Sequence, residues 1–271
     1  HREWIWRQSY HMGRHILGLE VQKVLALVDW TKRRSGADAK IGVAGYGEGG
    51  FIAMLAAAVD PRLQACYVSG YYGQPARPWE EPLDRHIWSY TREFGLAELA
   101  TLIVPRPLHF EYSEAPQFNG PAPAKAGRRG GAAVGRIETP TFQSLKAELA
   151  RIDELVPSEL SKHRFAKSFP DDTKPVAPMS INTTIAFHKM LGVNFFLGRL
   201  EVEVVQDNYD FQARQRRQVI ELERFIQRLV RESDHTRDKF FPVTALALEA
   251  KKVGQASQPD ANGKSPVSQA G

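Results

Sequence analysis

Residues 40–59 constrain the fold more than any other stretch of the chain. Lys40-Ile41-Gly42-Val43-Ala44-Gly45 reads as a short buried strand and runs into the glycine-dense turn Gly45-Tyr46-Gly47-Glu48-Gly49-Gly50. Residues 51–59 follow, apolar or small on every side, which is the pattern of a helix at the centre of a domain rather than on its surface. Asp60-Pro61 stops that helix, and residues 63–71, with Ala65-Cys66-Tyr67-Val68 at their middle, have the composition of the next strand. Strand, tight glycine turn, helix and strand make a βαβ unit, so the expected fold class is α/β with a mostly parallel, doubly wound sheet.

The flanking sequence extends this pattern. Ile16, Leu17, Val21, Val24, Leu25 and Val28 recur at spacings of three and four, predicting an amphipathic helix over about 16–34. Lys32, Arg33 and Arg34 suit its C-terminal dipole end, and Ser35-Gly36 breaks it. Leu96, Leu99, Ala100 and Ile103 mark a helix ending at Pro105, and residues 107–112 a third strand. Residues 115–140 hold Pro, Gly, Ala and Arg with almost no large apolar residue and read as a long loop. A helix over 141–156, a short fourth strand over 164–169 and a helix over 180–191 capped by Gly192 come next. Val219, Leu222, Phe225, Ile226, Leu229 and Val230 then lay one apolar stripe along a helix of about 211–233. After Ala250 the Gln, Ser, Pro, Gly and Asn content is too poor in apolar residues to fold. The domain boundaries that result are 1–198 for the α/β domain, 199–241 for a strand and helical extension, and 242–271 for a disordered tail.

Charge and composition narrow the partners. The 271 residues carry a formal charge of +5, but the excess sits in loop 121–136 and the last 21 residues rather than along a helix face, so nucleic-acid binding is not expected. The longest purely apolar run, 51–59, is far short of the roughly 20 residues a membrane span needs. Stripe 219–230 is a docking face rather than a membrane anchor, because 207–241 holds eight basic and seven acidic side chains. One cysteine, Cys66, excludes an internal disulfide framework and leaves the compartment open. Between apolar neighbours, it is expected to be an inert core thiol. The chain begins without Met or an apolar leader and reads as the middle of a longer protein.

The glycine turn fits two motifs. As G-x-G-x-x-G it is a dinucleotide fingerprint, but that reading wants an acid at the end of the next strand, where the chain has Tyr67-Val68-Ser69-Gly70. No cofactor is therefore expected, and a nicotinamide-dependent oxidoreductase ranks below the other readings. As G-x-S-x-G it is a nucleophile elbow with Gly45 and Gly49 at the glycine positions, where side chains would clash, and Gly47 where serine belongs. Glu48 would then offer its backbone N–H to an oxyanion.

With the elbow, residues 13–30, 41–50, 92–100 and 105–108 make the chain resemble the α/β-hydrolase superfamily, in particular bacterial relatives of dienelactone hydrolases and acetyl xylan esterases. The resemblance is good over about 10–115 and looser through 141–192, while 207–241 is similar to a helical segment that follows the domain in longer relatives. It implies several strands before residue 1, and hence contacts with a missing N-terminal or neighbouring domain. It also implies a triad in the order nucleophile, acid, histidine. The candidate positions are Gly47 and Glu48 at the elbow and Glu114 after the third strand, with Glu111 second. For both acids the ordinary reading is a solvated or salt-bridged carboxylate. The end of the fourth strand and the residues after it, Ser168-Phe169-Pro170-Asp171-Asp172, hold no histidine; His163 precedes the strand and His188 lies in a helix.

The expectation is therefore a degenerate hydrolase related to carboxylic-ester hydrolases. It would lack the serine and keep a cleft for a small ester or carbohydrate ester. The alternatives are a non-catalytic scaffold docking through helix 211–233, or residual ester hydrolysis by an unconventional route. Three lesser features take ordinary readings: His11 and His15 at zinc-ligand spacing without the glutamate of that motif, the aromatics Trp4, Trp6 and Tyr10, and the flexible basic loop at Arg128-Arg129. No metal site is expected.

Overall fold

The structure, a computed structural model, describes residues 2–73, 78–127, 130–161, 165–168, 174–193, 210–235, 239 and 249. It divides into two compact units, His1–Gly198 and Arg199–Gly271. In the first, α1 (Arg2–His11) and α2 (Ile16–Ser35) precede β1 (Ile41–Tyr46), α3 (Glu48–Val59) and β2 (Leu63–Ser69). Two 3-10 turns, Pro78–Glu80 and Leu83–Arg85, lead to α4 (Tyr90–Glu93), α5 (Leu96–Thr101) and β3 (Leu108–Glu111). Next come β4 (Phe118–Gly120), β5 (Gly135–Ile137), α6 (Phe142–Leu155), α7 (Ser158–Ser161), β6 (Phe165–Ser168) and α8 (Ile181–Met190). The second unit contributes α9 (Phe211–Glu232).

The main sheet has the order β1-β2-β3-β6, and every pairing is parallel. Its register brings Tyr46, Ser69, Glu111 and Ser168 to one level at the C-terminal ends of the strands. Helices cover both faces. On one, Phe51, Met54, Ala57, Cys66, Val68, Leu99, Phe110, Leu149 and Ile152 join α3, α5 and α6 to the sheet in a single core that also takes in α2. On the other, Phe187 of α8 packs on Ala65 and Tyr67. This is the α/β, doubly wound architecture expected from 40–71.

Local chemistry accounts for the helix ends. His15 caps α2 by accepting from the Leu17 N–H through Nδ1, and Gly36, at φ 91°, closes it. His11 ends α1, with Gly13 at φ 67° between, so the two histidines share no helix and no zinc-binding face. Thr141 caps α6, and Asp210 caps α9 by accepting from the Gln212 and Ala213 N–H groups at 2.9 Å. Segment 115–140, expected to be loop throughout, contains the antiparallel pair β4–β5. Its strands are three residues each and held by backbone pairing, so no apolar alternation announced them. The expected strand near 199, the tail 250–271 and His163 lie outside the described residues, as do Arg128 and Arg129. No described helix is long and apolar enough to cross a membrane.

Candidate functional site

The turn at the end of β1 has an elbow's geometry. Gly47 sits at φ 55°, ψ −129°, its N–H donates to the Ser69 carbonyl at 2.8 Å, and α3 begins at the next residue. That ψ lies outside the left-handed helical well, a conformation side chains adopt only under strain. A Cβ at Gly45 would stand 2.0 Å from the Gly49 carbonyl oxygen, so only glycine lets strand and helix close this tightly. The second steric requirement is not at Gly49, as expected, but at Gly50. A Cβ at Gly49 meets open space, whereas one at Gly50 would lie 2.8 Å from Val68 Cγ1.

The space into which a side chain at position 47 would project is occupied. A Cβ on Gly47 would lie 2.7 Å from Cδ and 2.8 Å from Cγ of Pro116. The 113–116 segment is held in this place by a hydrogen bond from the Tyr46 hydroxyl to the Glu114 carbonyl, at 2.7 Å. Its other ties are the Ser69–Ser113 hydroxyl contact at 2.7 Å and a bridge between Ser113 and Val176. The fold thus brings Gly47 and the Glu114 segment together, through the Glu114 backbone; its side chain is exposed.

Glu48 is engaged elsewhere. Its carboxylate accepts from Arg2 at 2.6 Å, and the same guanidinium pairs with Glu20 and, at 2.5 Å, with Asp84. Burial raises the Glu48 pKa by more than the Arg2 and Arg85 charges lower it. The side chain ties α3 to α1, and through Arg2 to α2 and the 83–85 turn.

Glu111 overturns its expected reading as a solvated or salt-bridged carboxylate. It is 1% exposed and forms no ion pair among the described residues; instead it accepts five hydrogen bonds. Oε2 takes Tyr67 Oη at 2.7 Å, Ser69 Oγ at 2.6 Å and the Met179 N–H at 2.9 Å. Oε1 takes the Ser180 N–H at 3.1 Å and the Thr183 hydroxyl. Burial pushes its pKa up, but the bonds from Ser180, Ser69, Thr183 and Tyr67 together outweigh it and hold the pKa below the usual carboxylate value. Glu111 is a strut fastening the start of α8 to the sheet. Cys66 is fully buried and burial pushes its thiol pKa up, as an inert core residue requires.

Two of the described histidines take places other than that of a triad base. His188 donates from Nδ1 to the Thr184 carbonyl of its own helix at 2.8 Å. His109, buried in β3 beside Tyr67, has neither ring nitrogen hydrogen-bonded. Among the described residues no group of three or more His, Cys, Asp or Glu is placed to hold a metal ion.

Sequence reasoning expected a cleft but identified none of its lining. A pocket of about 460 Å³ opens beyond the C-terminal ends of the strands, where open α/β sheets place their ligand crevices. Phe51 of α3 and Gly70-Tyr71 after β2 form one side; Trp79, Arg85 and His86 of the 78–86 turns and Tyr90 of α4 form others. The 3-10 turns have no periodicity and no motif, so the sequence carried no signal for Arg85 or His86.

No protein-family model matches this chain, and no curated protein is similar to it. A solved structure from Bacteroides fragilis, provisionally named an acetyl xylan esterase, is similar at 13% identity and a TM-score of 0.43, over 84% of this chain and 53% of that one. The chain therefore spans about half the length of that structure.

Proposed function

We propose that the His1–Gly198 unit is a degenerate α/β-hydrolase domain, related to carboxylic-ester hydrolases of the dienelactone hydrolase and acetyl xylan esterase type. It binds a small molecule at the C-terminal edge of its sheet without acyl-enzyme chemistry. One observation carries the reading. The elbow backbone is retained, yet position 47 is glycine and the Pro116 ring fills the space a nucleophile would occupy. Losing the nucleophile of such a triad costs on the order of 10⁶ in turnover, which leaves little for the remaining groups to supply. The resemblance over residues 10–115 supports the ancestry, and the pocket beside the elbow supports the retained binding.

A second reading, a scaffold that docks through α9, is favoured by the exposed apolar side chains of that helix, among them Phe211, Val219, Leu222 and Val230. Hydrolysis of 4-nitrophenyl acetate by the whole chain tests the first reading. Native protein and Gly47→Ala are expected to match the buffer rate, with no burst. Turnover by native protein that Gly47→Ala or Glu48→Gln abolishes would show a working elbow and overturn it.

A further inference from the structure

The pocket's lining is informative about its ligand. The Phe51 and Tyr71 rings stack at 4.9 Å and 13°, and Tyr90 lies 5.8 Å from Phe51, tilted by 58°, so one side of the pocket is an aromatic wall. Set in it is Arg85, whose side chain is only 6% exposed and whose Cζ lies 5.7 Å over the Tyr71 ring. A guanidinium carries five N–H donors and no acceptor. Glu81 accepts one of them, from Nη1 at 3.0 Å, while Nε is buried with no acceptor among the described residues. The Nε2 of His86, another lining residue, is likewise buried and without a partner. Buried polar nitrogens are ordinarily hydrogen-bonded, and Arg85 Nε can only donate, so it points to an acceptor that arrives with the ligand, while His86 Nε2 can take either role beside it.

Resting on the ligand-binding reading above, we infer that the pocket takes a small aryl carboxylate, its ring among Phe51, Tyr71, Trp79 and Tyr90 and its carboxylate accepting from Arg85. A planar guanidinium matches a carboxylate in shape and charge, and such charge-assisted bonds are about twice as strong as neutral ones. A cationic ligand would meet Arg85 in the wall, and the two lining acids are already engaged, Glu81 with Arg85 and Glu138 with Arg136. A neutral aromatic amide would fill the same volume and offer Arg85 only a weaker carbonyl acceptor. The volume of about 460 Å³ admits a two-ring ligand and lies within the usual range for small-molecule sites.

The test titrates the whole chain with three matched probes, 2-naphthoate, 2-naphthamide and 2-naphthylmethylammonium, by ligand-observed NMR at fixed salt. The expected result is saturable binding of the acid, about tenfold or more tighter than the amide, and none of the ammonium. Arg85→Gln is expected to bring the acid down to the amide's affinity and leave the amide unchanged, which also reports that the pocket is intact. Glu81→Gln, which removes the negative charge that competes for Arg85, is expected to tighten the acid alone. Equal binding of acid and amide, or an acid affinity indifferent to Arg85→Gln, overturns the inference while the ligand-binding reading stands. If Arg85→Gln loses both ligands, the Glu81→Gln arm decides, and an unchanged acid affinity there overturns the inference. Binding of none of the three overturns it outright, whereas native ester turnover would strike the proposed function independently.

Discussion

Replacing Glu111 by Gln changes one oxygen to an NH₂ and removes a charge, and the geometry makes that small change expensive. The two backbone donors are divided between the carboxylate oxygens: Met179 N–H reaches Oε2 and Ser180 N–H reaches Oε1. Whichever way a glutamine amide turns, its NH₂ faces one of them, and only Met179 N–H keeps a second, longer acceptor, Ser69 Oγ at 3.3 Å. The hydroxyls of Tyr67, Ser69 and Thr183 can rotate to accept, but a backbone N–H cannot. The loss of a charge-assisted bond, about 1.5–3 kcal/mol, adds to an N–H left with only the longer Ser69 contact, about 1 kcal/mol, so Glu111→Gln should destabilise by about 2.5–4 kcal/mol. For a unit of this size that is a fall in Tm of roughly 5–16 °C.

A pH dependence accompanies it. Because the folded pKa of Glu111 lies below the unfolded one, its contribution is present in full above the unfolded carboxylate's value of about 4.3. It is lost as pH falls through the lower, folded value. Urea titrations of native and Glu111→Gln protein at pH 7 and pH 3.5 read both effects. The gap between the two proteins should be widest at pH 7 and narrow at pH 3.5. A gap under about 1 kcal/mol at pH 7, or one that widens on acidification, would refute the reasoning.

The paired glycines separate two kinds of space. Gly45→Ala, with its Cβ against a backbone carbonyl at 2.0 Å, should cost over about 4 kcal/mol or prevent soluble expression. Gly49→Ala, facing open space in the first turn of α3, should be neutral or stabilising by up to about 1 kcal/mol; thermal melts of both variants check this. Cys66, fully buried with its thiol pKa pushed up, should resist a disulfide-exchange reagent in native protein and react at once in denaturant. A native reaction as fast as the denatured one would contradict its burial.

What could be read from the sequence was the part governed by local periodicity. The run 40–71 read as strand, turn, helix and strand because its apolar helix needs cover from its neighbours; Phe51, Met54 and Ala57 are buried there, although Val59 at the helix end is 63% exposed. α2 and α9 followed from spacings of three and four. The contacts that decide the site join residues far apart in the chain. Pro116 meets Gly47 only because the segment after β3 folds back over β1, and no local pattern encodes that approach. Glu111 shows the same limit. Alternation within β3 puts it opposite Leu108 and Phe110, but the Met179, Ser180 and Thr183 groups that satisfy it come about 70 residues later. Arg85 and His86 sit in short turns whose role is visible only once Phe51 and Tyr71 are beside them. The steric rule for glycine at the elbow was sound for Gly45 and misplaced by one residue at Gly50, since a motif fixes spacing and not which neighbour intrudes.

The central claim is that Pro116 holds the place a nucleophile at position 47 would need. The coupling between Gly47→Ser and Pro116→Gly in a double-mutant stability cycle tests it directly. Gly47→Ser alone should cost about 2–6 kcal/mol, from backbone strain and overpacking against the proline ring. With Pro116→Gly the overpacking part, about 1–3 kcal/mol, should be recovered as coupling. A Gly47→Ser variant as stable as native protein, or one whose cost is the same with and without Pro116, would contradict the account.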